Sequence, residues 1–154
     1  MLSRFGRREG GQSLAEFAMV LPVFLILVFG IIDFGMGLRA YITVAQATRE
    51  GARYAAVGNP AGTFTSGGSG DCTGSMTTST VGKVCSTMNG LNLTNVDSVS
   101  VTYPQGNEPG KPVRVEASYE YHYITPLKAV VNFISAGSLN DTITVTSATD
   151  MRLE

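Results

Sequence analysis

Apolar residues are concentrated near the start of the chain. Residues 17–32 read FAMVLPVFLILVFGII without a charge, and after Asp33 the apolar sequence continues to Leu38. A membrane-spanning helix needs about 20 mainly apolar residues, whereas the core helix of a soluble protein has a polar face at 3.6-residue spacing. Residues 17–38 have no such face. The pattern therefore predicts a membrane span over residues 17–38, with a buried helix as the alternative.

The helix is expected to continue beyond the span. Residues 40–57 read AYITVAQATREGARYAAV and are rich in helix-forming Ala, Gln, Arg and Glu, although Gly51 weakens the pattern. Residues at spacings of three and four approximate one apolar stripe: Tyr41, Val44, Ala45, Thr48, Ala52 and Ala55. We predict a single helix over residues 12–57 whose outer part covers a small sheet.

Residues 58–95 are dominated by Gly, Ser and Thr and show little apolar periodicity, which predicts a long irregular loop region. Cys72 and Cys85 lie within it. Two cysteines in an exported, loop-rich segment indicate a disulfide. Metal binding is disfavoured because there is no C-x-x-C pair and no nearby His. No cofactor is expected.

Residues 96–154 alternate like a sheet. The clearest strand runs from Pro112 to Tyr123, where Val113, Val115, Ala117 and three tyrosines alternate with polar residues. Further strands are predicted over residues 96–103 and 141–152. Thr125 and Pro126 introduce a short helix, LKAVVNFI, which Gly137 can end. The predicted fold is α+β, with the long helix packed on a small antiparallel sheet of about three strands.

Composition narrows the function classes. The 154-residue chain has a net charge of −1, so bulk electrostatics do not favour binding to nucleic acid. Charged residues make up 15%, below the roughly 25% of average soluble domains. His122 lies on the polar side of a predicted strand, and no nucleophile or metal-ligand spacing surrounds it. An enzyme is therefore not expected.

The residues before the span carry the most specific signal. A basic segment with Arg4, Arg7 and Arg8 ends in Gly10-Gly11-Gln12, and Glu16 stands at the head of the apolar run. The basic segment fits a cytoplasmic N-terminus, although arginines on the far side make the charge bias indecisive by itself. An acid entering hydrocarbon is unfavourable and is by default a functional candidate.

This arrangement resembles the prepilins of type IV pilin-like systems. More closely, GGQSLAEFAMVLPVFLILVFGIIDFG followed by ATREGARYAA looks like the TadE-like minor pilins or pseudopilins of tight-adherence (Tad/Flp) pilus systems. The resemblance covers about residues 10–57, with a weaker similarity in the tail SATDMRLE. It implies that residues 1–11 are a leader peptide that a prepilin peptidase removes between Gly11 and Gln12. It also implies a pilin architecture, and as partners the pilus membrane platform and other pilins.

Cleavage would make Glu16 the fifth residue of the mature chain and Phe17 the sixth. In a filament of staggered helices, Glu16 of one subunit could meet the new amine of Gln12 on its neighbour. Such a pair is several-fold stronger at low dielectric than in water, and an unpaired buried acid is penalised, so the pair would select one register. The alternative is an acid favoured by the helix dipole at the N-terminus.

Two further residues interrupt the apolar run. Pro22 removes one backbone hydrogen bond, which either kinks the helix or contributes to local melting in a filament. Asp33 lies near the outer boundary of the span. It could reach the membrane interface, or pair with Arg39 or with an assembly protein. Beyond the span, Arg49, Glu50 and Arg53 form either a candidate assembly contact or a solvated face.

Two functions follow from the sequence. The first is a minor pilin-like subunit, processed by a prepilin peptidase and used to assemble a Tad/Flp-type pilus. It would cross the bacterial inner membrane once, with its C-terminal domain outside the cytoplasm, and could reach the extracellular pilus and cell adhesion. The alternative is an uncleaved inner-membrane-anchored envelope protein whose outer domain binds a surface or a ligand.

Overall fold

The computed structural model describes residues 10–58, 64–65, 72, 79–134 and 140–154. Within these residues the chain forms three α-helices and a four-stranded antiparallel sheet of order β1-β2-β3-β4. The elements, in chain order, are α1 (Gly10–Ala56), β1 (Phe64–Thr65), α2 (Thr80–Thr87), β2 (Val96–Thr102), β3 (Pro112–His122), α3 (Leu127–Ile134) and β4 (Thr142–Arg152). The α+β prediction is confirmed, and the short strand β1 joins the three strands that were expected. Gly137, the expected end of α3, lies outside the described residues.

The chain divides into two compact units. One unit contains the described parts of Met1–Phe34 and Tyr123–Asn140, and therefore the N-terminal part of α1 together with α3. The other contains Gly35–His122 and Asp141–Glu154, and therefore the remainder of α1, helix α2 and the sheet. The predicted membrane span begins in the first unit.

The sheet is built around β3, which pairs with β2 on one side and β4 on the other. Val115 lies between Val101 of β2 and Thr149 of β4. The buried apolar positions of β3 follow the predicted alternation: Val113, Val115, Ala117, Tyr119 and Tyr121. Ser118, between two of them, is also buried. A register shift between Val96 and Ser98 places Val96 on the same buried side as Val99. A bulge of this kind adds one residue to a strand and so breaks its two-residue period.

Small residues of α1, namely Gly37, Gly51 and Ala55, let the helix lie close along β3. An added Cβ at Gly37 would lie 3.8 Å from the ring of Tyr121, and one at Gly51 would lie 3.4 Å from Val115 Cγ1. From Gly37 to Gly51 the helix rises about 21 Å at 1.5 Å per residue. From Val115 to Tyr121 the strand covers about 20 Å at 3.4 Å per residue. Helix and strand therefore run side by side in opposite directions.

Further along the helix, Ala55 packs with Val113 and Leu153 in one buried cluster. The carbonyl of Ala56 accepts a hydrogen bond from the backbone N–H of Glu154 at 2.8 Å. Gly58, with φ of +81°, donates its N–H to the Ala55 carbonyl and ends the helix in a left-handed conformation that glycine adopts without strain. The end of α1 is thus joined to the last residues of the chain.

Helix α2 lies inside the segment that the sequence predicts as a loop region. Its sequence, TVGKVCST, contains β-branched residues and a glycine, which are weak helix formers. The helix is stabilised by its context: the Ser79 side chain accepts from the Gly82 N–H at 3.0 Å, and Val81, Val84 and Cys85 are fully buried. Tertiary packing therefore overrides local preference over residues 80–87.

The two cysteines form the disulfide that the sequence predicts. Cys72 and Cys85 are bonded, with their Cα atoms 5.0 Å apart. Cys85 belongs to α2 and is completely buried. The bond therefore ties Cys72 to a helix that is itself part of the core.

Gly51 of α1 lies against Val84 of α2, and we predict that it cannot be replaced without loss of stability. A Cβ at Gly51 would overlap Val84 Cγ2. Gly51→Ala should gain up to about 1 kcal/mol of helix propensity but lose about 1–3 kcal/mol to overpacking. The thermal unfolding midpoint of the full chain in detergent should fall, as measured by circular dichroism.

Two companion variants test this explanation. Gly35→Ala, where the added Cβ has open space, should leave the midpoint unchanged or raise it. Val84→Ala removes the overlapping methyl group, so Gly51→Ala should cost less in that background than in the wild type. Equal costs in the two backgrounds would show that the contact with Val84 is not the reason for Gly51.

Candidate functional site

The residues expected to direct processing and assembly lie in the first turns of α1. Gly11 and Gln12 are exposed, and an added Cβ at Gly11 would meet no other atom within 4 Å. Phe17 is 64% exposed. The Gln12 side chain donates from Nε2 to Glu16 Oε1 at 3.1 Å, an i,i+4 contact along the exposed helix surface. Arg4, Arg7 and Arg8, in the segment predicted to be a leader, lie outside the described residues.

The segment that follows is a candidate membrane span. The helix is long and apolar enough to cross a bilayer, and 6% of its most apolar window is buried. Large apolar side chains are exposed from Leu14 onward, as a lipid-facing helix requires: Phe17, Met19, Val20, Val23, Phe24, Leu27, Ile31, Ile32 and Phe34. This exposure is consistent with membrane anchoring and is not that of a core helix.

Pro22 lies within α1, which continues as helix on both sides of it. Because proline has no N–H, the Ala18 carbonyl loses its usual intrahelical donor. Whether this weak point serves local melting in a filament stays a prediction.

Asp33 is the most buried acid of the described residues, at 3% exposure. Its Oδ1 accepts from the backbone N–H of Ile124 at 3.0 Å and of Thr125 at 3.3 Å, and its Oδ2 accepts from the Thr125 hydroxyl. These groups directly precede α3. Sequence reasoning considered other partners, because the distance along the chain hides this contact. Arg39, one of those considered, donates from Nη2 to the Gly90 carbonyl at 3.5 Å.

The charged residues of the outer part of α1 form an ion-pair group on the surface. Arg53 contacts Glu50 through Nε at 3.1 Å and through Nη2 at 3.0 Å, and Lys83 Nζ of α2 lies 3.6 Å from Glu50 Oε1. Hydrogen bonding from Arg53 lowers the pKa of Glu50, and the same contact raises the pKa of Arg53. Arg49 is exposed beside this pair.

Lys83 is a member of this group that the sequence analysis did not identify. The Arg53–Glu50 pair could have been found from its i,i+3 spacing. Lys83 could not, because it reaches Glu50 only through the packing of α2. The geometry makes the group a link between two helices, with Arg49 and part of Arg53 left on the outer surface.

A second polar group lies in the interior of the second unit. The buried hydroxyl of Thr48 lies 3.2 Å from the Ser147 hydroxyl. Thr149 Oγ1 donates to the same Thr48 hydroxyl at 3.2 Å. The Thr48 hydroxyl also donates to the Ala45 carbonyl at 3.1 Å. Sequence reasoning placed Thr48 in the apolar stripe and did not predict its contacts with β4.

The remaining chemistry is sparse in the part of the chain that the structure describes. Groups of three or more His, Cys, Asp or Glu side chains arranged to hold a metal ion are absent from these residues. His122 Nδ1 lies 3.2 Å from Asn95 Nδ2 on an exposed part of the sheet. The features with functional character are therefore the start of α1, the candidate span and Asp33.

The comparison with protein families agrees with the resemblance that the sequence indicated. Residues 11–53 match the family described as TadE-like protein. The resemblance read from the sequence is thereby confirmed over the part of the chain that contains Glu16, the candidate span, Asp33 and the Arg49–Arg53 group. No curated protein and no solved structure matches the chain.

Asp33 offers a direct test of its structural role. Asp33→Ala would leave the N–H groups of Ile124 and Thr125 without their acceptor, at a cost of about 1–3 kcal/mol. The segment before α3 should therefore open more often. Tryptic cleavage after Lys128 in the detergent-solubilised full chain should accelerate roughly tenfold, since 1.4 kcal/mol changes an equilibrium tenfold.

The matched control is Asp150→Ala, which removes an exposed carboxylate on β4 whose distance to Arg114 is 4.0 Å. It should leave the cleavage rate after Lys128 unchanged. Equal rates for Asp33→Ala and wild type would contradict the proposed role of the carboxylate in holding this segment.

Proposed function

We propose that this protein is a minor pilin-like subunit for the assembly of a Tad/Flp-type pilus. A prepilin peptidase removes residues 1–11, and the mature chain is delivered by the pilus membrane platform to other pilins. The observation that carries the proposal is the TadE-like match over residues 11–53, which begins at the expected cleavage site. The exposed start of α1, with Glu16 four residues after Gln12, supports it.

The local sequence favours cleavage between Gly11 and Gln12. Both Gly10 and Gly11 lie at the beginning of α1, and glycine is about 1 kcal/mol less favourable than alanine in a helix interior. The first turn therefore unwinds at low cost and can be presented to a peptidase in an extended form. Cleavage removes three arginines and one glutamate, which leaves a more acidic mature chain with its new amine next to the bilayer.

Processing is tested by substitution at Gly11. In cells that contain the Tad system, wild-type protein should have Gln12 as its N-terminus, measured by intact mass and terminal sequencing. Gly11→Ala should accumulate with residues 1–11 still attached, because the leaders of the prepilins that the sequence resembles end in Gly. The change should not disturb the fold, because an added Cβ at Gly11 has open space around it. Gly30→Ala, also in open space, should be processed normally. A Gln12 terminus in Gly11→Ala, or an intact leader in the wild type, would contradict the proposal.

Glu16 is proposed to set the axial register of subunits. Its carboxylate lies at the head of the candidate span, where an unpaired charge is unfavourable in hydrocarbon. A neighbouring subunit's Gln12 amine, created by cleavage, would supply the compensating charge. Because the attraction is stronger at low effective dielectric, the correct stagger would be favoured over others.

The hydrogen bond from Gln12 to Glu16 supports the second candidate, an uncleaved membrane-anchored envelope protein. Within a single chain the carboxylate already has a donor at 3.1 Å. An acid satisfied in this way could belong to a simple anchor whose outer domain binds a surface or ligand. The two functions differ in what they require of Glu16.

Variants of Glu16 and Gln12 distinguish the two functions. If Glu16 pairs with a neighbour's amine, Glu16→Ala and Glu16→Gln should both be inserted and cleaved but be absent from filaments. Gln12→Ala removes the intrachain hydrogen bond and keeps both the amine and the acid, so it should still be incorporated. Subunit content is measured in purified filaments from cells with matched membrane levels. Normal incorporation of Glu16→Ala would show that the acid does not set the register.

The proposed location follows from the same elements. The candidate span would cross the inner membrane once, with the basic leader in the cytoplasm and the sheet on the outer side. The Cys72–Cys85 disulfide fits an oxidising compartment. The exposed charges of Arg49 and Arg53 lie on this outer side, where they are proposed to contact assembly partners.

A further inference from the structure

Gln12 carries two groups that can react with each other once it is the first residue of the mature chain. The free amine of an N-terminal glutamine attacks Cδ of its own side chain. A bond forms between the amine nitrogen and Cδ, the bond between Cδ and Nε2 breaks, and Nε2 leaves as ammonia with a proton from the amine. The product is the lactam pyroglutamate, whose nitrogen carries no charge. The rate depends on how often the side chain folds back onto the uncharged amine.

Cyclisation would remove the charge on which the proposed pairing between subunits depends. The amine of Gln12 is the group that would meet Glu16 of a neighbouring subunit, and a neutral lactam cannot replace it. The uncleaved chain is not at risk, because its Gln12 nitrogen is part of the peptide bond to Gly11. A cleaved subunit that waits in the membrane therefore needs a means of keeping its amine open.

A hydrogen bond within the chain restrains the side chain of Gln12. Its Nε2, the atom that would leave as ammonia, donates to Glu16 Oε1 at 3.1 Å. Glu16 lies one helical turn further along α1, which is about 6 Å at 1.5 Å per residue, in the direction away from the amine. The Gln12 side chain must give up this acceptor before it can turn back toward the terminus.

We propose that Gln12 of the mature chain is a site of pyroglutamate formation and that Glu16 of the same chain slows this modification by holding the Gln12 amide away from the amine. The hydrogen bond gains strength next to the bilayer, where the effective dielectric is low. This inference rests on the cleavage between Gly11 and Gln12 in the proposed function. It does not depend on filament assembly or on the contact between Glu16 and a neighbour's amine.

The test produces the mature terminus without the prepilin peptidase. An enteropeptidase recognition sequence is inserted between Gly11 and Gln12 of the full chain, and cleavage of the purified protein in detergent leaves Gln12 as the first residue. Mass spectrometry of the N-terminal peptide then follows the loss of one ammonia at neutral pH. The uncleaved protein is the blank. Processing in cells is measured separately, from the N-terminus of the wild-type protein.

Glu16→Ala should lose ammonia about two- to threefold faster than the wild type, because polar pairs at this spacing shift an exposed helical equilibrium by about that factor. Glu16→Gln keeps an oxygen acceptor and should stay closer to the wild type. The double variant Ser13→Glu/Glu16→Ala keeps an acid in the first turn. Because neighbouring residues of a helix do not face each other, it should cyclise as fast as Glu16→Ala.

A rate for Glu16→Ala equal to or below that of the wild type would overturn the inference. A slow double variant together with a fast Glu16→Gln would show that the charge near the amine controls the rate and not the hydrogen bond, which also overturns it. An intact leader in cells would overturn the proposed processing itself, whatever the rates of the purified variants.

Discussion

The second unit depends on how closely one helix can approach one strand. α1 presents small residues toward β3, and the helix and the strand advance by the same distance over the intervals that they share. The helix and the strand therefore stay in step from the Gly37–Tyr121 contact to the Gly51–Val115 contact. Bulky residues on this stripe would separate the two elements and expose Val113 and Val115. An added Cβ at Gly51 would lie 3.4 Å from Val115 Cγ1, in van der Waals contact, which leaves no room for a larger side chain.

The N-terminal part of α1 has a different constraint. There many of the large apolar side chains are exposed, Phe17, Val20 and Phe24 among them, which is unfavourable in water and favourable in a bilayer. A single helix thus changes its requirement along its length, from apolar contact with lipid to close packing with a sheet. The TadE-like match over residues 11–53 includes both the apolar candidate span and most of the part of α1 that packs on the sheet.

Much of this fold could be read from the sequence because its signals are local. The apolar run predicts the span, the alternation of residues 112–123 predicts β3, and Thr125 and Pro126 mark the start of α3. The features that were missed depend on packing between distant segments. The residues of α2 are poor helix formers and become helical only through burial, a capping serine and the disulfide. The bulge near Asp97 also leaves no periodic signal. The partners of Asp33 lie some ninety residues away, a separation that no local pattern can show.

The hydrogen-bonded hydroxyls of Thr48, Ser147 and Thr149 have a consequence for strand pairing. β4 is rich in threonine and carries few large apolar residues, so its hydrophobic pattern alone would allow it to slide along β3. A shift by one residue would turn Val145 outward. A shift by two would keep the facing correct but bring Val145 or Met151 toward Thr48 in place of a hydroxyl, and so break the buried network. A polar side chain on the helix thus discriminates between pairings that burial of apolar surface would leave nearly equal in energy.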